Sequence, residues 1–220
     1  MIRVIVGKDV SRHRRLFDRV YRTRHQIFVD QMGWTDLRRM DGIEKDQFDT
    51  DRALHFIALQ DERIAAYSRL LPTMGPHLLS DVYPELLAGA SAPRRPDVYE
   101  WTRLFTDDWA QPGNTMSPAG RALFVALAEY CGRAGISSLI AQSGPMSVSR
   151  LLQLGWEARP LAMPTVYRGQ PVVAFEAHLL PETVARSRKV LGVKGDVFIQ
   201  PDALLPWMDD QAGVAAEIMH

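Results

Sequence analysis

Hydrophobic and polar positions recur along most of this chain in patterns that predict both strands and helices. Alternating apolar residues at positions 2–6 predict a first strand. An apolar stripe opposite an arginine-covered face predicts a helix from Ser11, its N-cap, to about Val29. Residues 30–51 lack a clear period and carry many charges, which indicates a long loop of the kind that is often functional in compact domains.

The rest of the chain continues this mixture of elements. The predicted elements are a β-hairpin of strands 53–59 and 63–71, a short helix capped by Ser80 and running to about Leu87, a strand at 97–106, a helix from Ser117 or Pro118 to about Arg133, a strand at 137–141, a helix at 145–154, strands near 156–162 and 171–179, and a last helix at 181–191. This order predicts one α/β domain over residues 1–220, with a mixed central sheet flanked by helices. The tail after about residue 200 is weakly patterned and has no functional interpretation.

Composition narrows the class of protein. The formal net charge of +0 over 220 residues argues against a dedicated nucleic-acid binder. No apolar run approaches the roughly 18 residues of a membrane span, and the N-terminus lacks a signal-peptide pattern, so we expect a cytoplasmic protein without a membrane partner. The single cysteine, Cys131, excludes an internal disulfide and cannot by itself build a metal cluster. Its place on an apolar helix face predicts core packing.

Two charged residues interrupt the most apolar of the predicted strands. Glu100 and Arg103 lie among Val98, Tyr99, Trp101, Leu104 and Phe105. Charged side chains are seldom buried unless they are paired. The strand therefore contains either a structural ion pair or the floor of a polar site.

Further charged and aromatic residues extend this pattern upstream. In order they are Arg24, Phe28, Trp34, Asp46, Asp49 and Arg69, followed by Glu100 and Arg103. With the local segments Ile43-Glu44-Lys45-Asp46-Gln47-Phe48-Asp49 and Tyr99-Glu100-Trp101-Thr102-Arg103-Leu104-Phe105, the chain resembles the acyl-homoserine-lactone synthases, which make quorum-sensing autoinducers. All eight positions that define the family are present, spread over 80 residues, and a softer likeness continues to about Gly155-Trp156.

The resemblance implies a fold like that of the GNAT acyltransferases and no tightly bound cofactor. It implies two substrates, S-adenosylmethionine and an acyl thioester. The methionine amine attacks the thioester carbonyl to form an amide. The methionine carboxylate then displaces methylthioadenosine at its own γ-carbon and closes the lactone.

The family's site residues suit this chemistry. Carboxylates hold an ammonium and help its proton leave, so Glu100 or Asp46 is expected to assist as a base, and sequence does not rank the two. Arginines supply donors for the substrate carboxylate and keep the acids ionised, and backbone N–H groups at a bulge after Arg103 are candidates for an oxyanion site. The expected catalytic residues are Glu100, Asp46, Arg103, Arg69 and Asp49, and the expected S-adenosylmethionine-binding residues are Arg24, Phe28, Trp34 and Asp46. An exposed Trp34 in isolation is equally consistent with a packing anchor.

The thioester side is expected to involve Phe105, Arg121 and Ser143. Gly120 and Arg121 lie in the first turn of a predicted helix, where backbone N–H groups favour phosphates, although an ordinary capped helix would have the same sequence. Ser143 corresponds to a family position at which threonine is associated with oxygenated acyl chains. Serine lacks that methyl group.

Two acyl donors remain open. Residues 71–84 and 97–100 are similar to the branch of the family that uses coenzyme A thioesters of branched-chain or aryl acids, whereas most members use acyl carrier protein. The acidic carrier would need a basic face, for which Arg12, Arg14, Arg15 and Arg19 are candidates. Two other functions compete: a GNAT-type acyltransferase for another amine, which would not need the whole set of site residues, and a binding module without activity, which should have lost at least one of them.

Overall fold

The computed structural model describes residues 1–106 and 116–199 of the chain. The strands are β1 (Ile2–Val6), β2 (Leu54–Gln60), β3 (Arg63–Pro72), β4 (Val98–Thr106), β5 (Ser138–Ser143), β6 (Glu157–Pro160), β7 (Thr165–Tyr167) and β8 (Gln170–His178). The α-helices are α1 (Arg14–Arg24), α2 (Leu78–Asp81), α3 (Pro118–Arg133), α4 (Pro145–Gln153) and α5 (Thr183–Leu191). Gly7–His13, Thr35–Leu37 and Pro84–Leu87 form 3₁₀ turns, and His25–Gln31 continues α1 as a π-helical segment.

The strands form one mixed sheet in the order β1-β2-β3-β4-β5-β8-β6, with β7 paired to β8. Neighbouring strands are antiparallel except β4 and β5, which are parallel. The β4–β5 pairing covers only Val98–Glu100 against Ser138–Ile140, although both strands continue beyond it. The sheet therefore opens in its middle, just past Glu100.

Side chains of alternate residues build a core on each face of the sheet. On one face, α3 packs Leu123 and Phe124 against strand residues such as Phe56 and Trp101. On the other face, α1 packs Phe17 against residues that include Tyr67. The mixed sheet flanked by helices is thus confirmed, and Cys131 is buried in the α3 core as expected.

Most of the predicted elements are confirmed, including the hairpin of β2 and β3 and the buried strand β4. Helix α3 begins at Pro118, and the Ser117 hydroxyl accepts the Gly120 N–H at 3.1 Å as an N-cap. The first two residues of the predicted loop at 30–51 still belong to the π-helical segment, and the rest of it is irregular apart from the 3₁₀ turn Thr35–Leu37. The weakly patterned tail, including its share of the predicted 1–220 domain, lies outside the described residues.

Two predicted caps are wrong. The first helix is not capped by Ser11, because hydrogen bonds from Gly7 and Lys8 to residues 53 and 51 first hold the chain in a 3₁₀ turn and α1 begins only at Arg14. Ser80 lies inside α2 instead of capping a longer helix. Pro84 disfavours helical geometry at the residue before it, and the predicted helix is therefore two short pieces.

Strand β7 was not predicted. It is only three residues long and mostly exposed, so it lacks an apolar pattern. Arg168 and Gly169 link it to β8, both with positive φ (51° and 76°), as in tight hairpin turns.

Candidate active site

A bulge in β4 brings the charged residues of this strand to one face of the sheet. Tyr67 pairs with Phe105 and Arg69 pairs with Thr102, so two residues of β4 lie opposite Ser68 alone. Arg103 occupies the bulge with φ of 55°. In a regular strand Arg103 would share the α3 face with Trp101, but the extra residue turns it toward α1, on the face that carries Glu100 and Thr102. The bulge predicted after Arg103 is therefore present.

Three arginines and three carboxylates meet on this face. Arg24 bonds Glu44 at 2.5 Å and Asp49 at 2.8 Å, and Arg69 bonds Asp49 at 2.7 Å. The carboxylate of Asp46 accepts from two nitrogens of Arg69, at 2.7 and 2.9 Å. We call this set the ionic cluster; its members are Arg24, Arg69, Arg103, Glu44, Asp46 and Asp49.

Arg103 closes the ionic cluster on its outer side. Its Nη2 donates to Glu44 at 3.0 Å and to Asp46 at 2.8 Å. Because the three guanidinium charges equal the three carboxylate charges, the cluster is neutral as a unit. Neutrality explains how six charged groups remain buried together.

The acids of the cluster come from one turn of the loop at 43–49. The Glu44 N–H bonds the Tyr21 carbonyl on α1 at 3.1 Å. The Asp46 carboxylate accepts the Phe48 N–H at 2.9 Å, and the Asp49 carboxylate accepts the Asp46 N–H at 3.0 Å. Phe48 is buried and anchors the turn. The carboxylates of Asp46 and Asp49 thereby serve local backbone geometry as well as the arginines.

The arginines determine the ionisation of the buried acids. Burial by itself would raise the pKa of Glu44, but Arg24 and Arg103 lower it to about 2. Asp49 is equally buried, and Arg24 and Arg69 hold its pKa far below the usual range. Both groups are therefore carboxylates at neutral pH and cannot exchange protons there.

The ionic cluster reaches the surface at one edge. The Asp46 and Arg103 side chains are 11% and 5% exposed, whereas the side chains of Arg24, Arg69 and Asp49 have no exposed area. Beside this edge Phe28 and the half-buried Trp34 stack with their ring centroids 5.0 Å apart. The Arg103 guanidinium lies over both rings, at 5.6 and 6.0 Å. A ligand at this edge would meet a carboxylate, a guanidinium and an aromatic ring.

Glu100 lies in a different environment on the same face. Its carboxylate is fully buried and accepts the N–H groups of Leu78 and Leu79, each at 2.7 Å. Arg103 pairs with Glu44 and Asp46 instead, so the structure does not contain the ion pair within β4 that was one of the two sequence-based alternatives. Burial raises the pKa of Glu100 to about 7, against the lowering effect of these two hydrogen bonds and of Arg69.

The residues predicted for the thioester are dispersed. Phe105 is buried beneath the site, with its ring 6.0 Å from Phe28 and 5.6 Å from Tyr67. The Arg121 guanidinium donates to the Leu191 carbonyl at 3.5 Å, and the Ser143 hydroxyl bonds that of Ser147 on α4 at 2.8 Å. Of the three, only Phe105 contacts a predicted S-adenosylmethionine-binding residue in these interactions.

Gly120 has a packing role within the chain. A Cβ added there would lie 2.8 Å from Met116 and 2.9 Å from Thr106, so the absence of a side chain lets α3 begin close to the end of β4. The close contacts at Gly120 are thus made within the protein itself. Binding of a phosphate at this turn stays a prediction.

Sequence reasoning missed four residues that support the site. Glu44 belongs to the quoted acidic segment but was not assigned a role. The Tyr67 hydroxyl lies 2.8 Å from His55 Nδ1, and Arg24 Nη1 donates to it at 3.5 Å. Thr102 accepts from Arg69 Nε at 3.1 Å. For His55, Tyr67 and Thr102 the only signal in the sequence is that polar groups occupy buried strands, and this signal does not identify their partners.

Neither a metal centre nor a membrane span is evident in the part of the chain that the structure describes. Residues 1–106 and 116–199 contain no group of three or more His, Cys, Asp or Glu that could hold a metal ion. None of the helices in these ranges is long and apolar enough to cross a membrane.

Comparison with known proteins identifies the family. The family model for autoinducer synthases matches residues 8–188. This chain belongs to the autoinducer synthase family. The isovaleryl-homoserine lactone synthase of Bradyrhizobium diazoefficiens is 29% identical over 201 residues, which cover 91% of this chain and 87% of that protein. The family resemblance of the sequence is thereby confirmed.

Solved structures of synthases agree with this assignment. The CoA-dependent acyl-homoserine lactone synthase MesI matches with a TM-score of 0.80 and 30% identity, covering 91% of this chain and all of that one. The CoA-dependent synthase BjaI, solved with SAM and isopentyl-CoA, matches with a TM-score of 0.81 and 26% identity, covering 93% and 96%. An N-acetyltransferase from Lactobacillus plantarum shares the fold at a TM-score of 0.51, with 21% identity and coverage of 81% and 98%. The GNAT-like fold is therefore confirmed for this synthase.

Proposed function

We propose that this synthase acylates the amine of S-adenosylmethionine from an acyl thioester and then closes the lactone with release of methylthioadenosine. The observation that carries the proposal is the exposed edge of the ionic cluster, where Asp46, Arg103 and Trp34 lie together on the face that also holds the buried Glu100. Family membership supports the same reaction.

The exposed edge matches the charges of S-adenosylmethionine. Asp46 receives the ammonium group and Arg103 the carboxylate, so that an amino-acid zwitterion finds both counter-charges within one site. Trp34, stacked on Phe28, attracts the sulfonium through its ring face. The other four charged groups of the ionic cluster hold the side chains of Asp46 and Arg103 in place.

Glu100 is the group in this site best suited to accept the ammonium proton. A general base works best when its pKa is near the working pH, and burial brings that of Glu100 to about 7. The carboxylates of Glu44 and Asp49, held by arginines, are too weakly basic. Asp46 keeps its carboxylate on Arg69 and Arg103, and we assign it to holding the cation.

The two stages then follow from the placement of charge. The free amine attacks the thioester carbonyl, a C–N bond forms, and the thiol leaves. Backbone N–H groups at the β4 bulge after Arg103 stabilise the oxyanion of the tetrahedral intermediate. The substrate carboxylate, directed by arginine, next attacks the γ-carbon, and methylthioadenosine departs with the electrons of the broken C–S bond.

We propose a coenzyme A thioester as the acyl donor. Because S-adenosylmethionine and acyl-CoA are the proposed substrates, we also propose that the protein is located in the cytoplasm. The structural neighbours titled as CoA-dependent and the isovaleryl-homoserine lactone synthase support this choice. Phe105, Arg121 and Ser143 remain the predicted residues of the thioester side. Acyl carrier protein is the alternative donor. On the basic face predicted for it, Arg14 and Arg15 are exposed. Arg12 and Arg19 of the same face form ion pairs with Asp9 and Glu62.

Release of methylthioadenosine by the purified protein tests the proposal. S-adenosylmethionine is supplied with matched panels of acyl-CoA and acyl-carrier-protein donors that carry branched, aryl and straight acyl chains. Turnover with acyl-CoA alone is the expected result, and turnover with carrier protein alone would reverse the assignment of the donor. Folded protein that acylates other amines but never releases methylthioadenosine would indicate the general GNAT alternative.

A further inference from the structure

Gln142 lies beside Glu100 at the point where the sheet opens. Glu100 pairs with Ile140 in the parallel β4–β5 ladder, and the two side chains of such a pair point to the same face. Gln142 is two residues beyond Ile140 and therefore shares that face. No further β4–β5 pair follows among the described residues, so Gln142 borders the gap between the two strands.

The two ends of the Gln142 amide have different surroundings. The side chain interacts with the Glu100 carboxylate and lowers its pKa, and only the NH₂ end of the amide can serve as a donor in that interaction. Its Oε1 is buried and has no hydrogen-bond partner within residues 1–106 and 116–199. A buried acceptor without a donor costs about 1–3 kcal/mol. A hydrogen-bond donor on a bound substrate would remove this cost.

We propose that Gln142 is a substrate-positioning residue whose Oε1 accepts a hydrogen bond from the amine of S-adenosylmethionine and so holds the nitrogen beside Glu100. The inference rests on the proposed function and deepens it. Oε1 can only accept, and the reacting thioester carbon, oxygen and sulfur carry no N–H group. The ammonium brings three donors, of which Asp46, Glu100 and Gln142 would each take one.

The same contact links Gln142 to the proton transfer. The donor end of the amide stabilises the carboxylate form of Glu100 and lowers its pKa. The charged and titratable groups that act on Glu100 include Arg69 on β3 and Tyr83 after α2. His77, just before the two N–H donors, directs its Nδ1 to the Gly75 carbonyl at 3.0 Å. Replacement of Gln142 leaves these groups unchanged.

The test compares Gln142→Met with the wild-type synthase. Methionine keeps the length and flexibility of the side chain but removes both hydrogen-bonding ends. We expect the KM for S-adenosylmethionine to rise about 10-fold, the KM for the thioester to stay within about twofold, and the acid limb of the pH profile of kcat/KM to move to higher pH. Gln153→Met, at an exposed position on α4, is the matched control and should change none of these.

A second variant separates the two ends of the amide. Gln142→Glu keeps an acceptor oxygen and loses the donor, so we expect a nearly wild-type KM for S-adenosylmethionine at pH 9. The added negative charge should move the acid limb of the pH profile of kcat/KM to still higher pH than in Gln142→Met. The inference would be overturned if Gln142→Met left both the KM for S-adenosylmethionine and the acid limb of the pH profile unchanged, or if it raised the KM for the thioester alone. In either case turnover by the wild-type protein would still support the proposed function. Absence of wild-type turnover would instead remove the proposed function itself.

Discussion

The two kinds of buried carboxylate in this protein contrast sharply. Glu44 and Asp49 lie among guanidinium groups, which keep them ionised to very low pH. Glu100 is just as buried, but its nearest partners are backbone N–H groups, and its pKa rises to about 7. Desolvation acts on all three in the same direction. The difference shows that the partner, and not burial, decides whether an acid organises charge or exchanges protons.

The largest expected effect is on catalysis, from Glu100→Gln. The amide fits the same space but cannot accept the ammonium proton, and loss of a general base typically costs about 10²- to 10⁴-fold in rate. Methylthioadenosine release under saturating substrates measures this loss, with circular dichroism to show that the fold persists. Activity within a few fold of wild type would remove Glu100 from the role of base.

Substitution within the ionic cluster should lower the stability of the fold more than any other substitution proposed for this protein. Arg24→Met leaves Glu44 and Asp49 buried without their shared partner, and breaking a buried pair costs about 3–5 kcal/mol in the free energy of unfolding. Chemical denaturation at pH 7.5 checks this value. Arg12→Met, at a side chain that is 79% exposed and paired with Asp9, is the control, for which we expect a change below about 1 kcal/mol. Equal losses of unfolding free energy in the two variants would contradict the expectation that the buried ion pairs of Arg24 matter more than the exposed ion pair of Arg12.

The two kinds of acid should also give stability opposite dependences on pH. The lowered pKa of Glu44 contributes stability that is complete above about 4.5 and is lost as the pH falls toward 2. The raised pKa of Glu100 has the reverse sign, because ionisation in the folded state becomes costly as the pH rises from about 4.5 to 7.

The comparison of Glu100→Gln with wild type isolates the second contribution. We expect the variant to gain about 3 kcal/mol in unfolding free energy relative to wild type between pH 4.5 and 8, since about 2.5 pKa units correspond to that energy. The neutral His55, whose pKa burial lowers to about 3, affects both proteins equally and cancels. A difference that is constant across this range would mean that Glu100 ionises normally.

The smallest effect is expected at the exposed edge. Trp34→Ala removes a ring face from the sulfonium and should weaken binding of S-adenosylmethionine about 3- to 30-fold, the size of a cation–π contact. Calorimetric titration with S-adenosylmethionine and, separately, with an acyl-CoA measures the two affinities. A larger loss for the thioester would exclude Trp34 from the amine-substrate pocket.

Much of this molecule could be predicted from local pattern. The apolar runs of β2, β3 and β4 are unambiguous, and Ser117 before Pro118 marks the start of α3 because capping depends on only a few neighbouring residues. Ser11 and Ser80 failed as caps because contacts from distant residues and a following proline decided where those helices begin and end. Glu100 and Arg103 were singled out by their place in an apolar strand, whereas the other charges of the site were found through the family resemblance.

The sequence by itself determined which chemical groups are available: three arginines, the acids of one loop and strand, and two aromatic rings. The tertiary structure alone decided what they do. A single extra residue in β4 turns Arg103 to the face of Glu100, since side chains alternate along a regular strand. Folding also surrounded Glu44 with guanidinium groups and Glu100 with backbone N–H groups. An ionisable group takes its pKa from its neighbours in space, and most of these are distant along the chain.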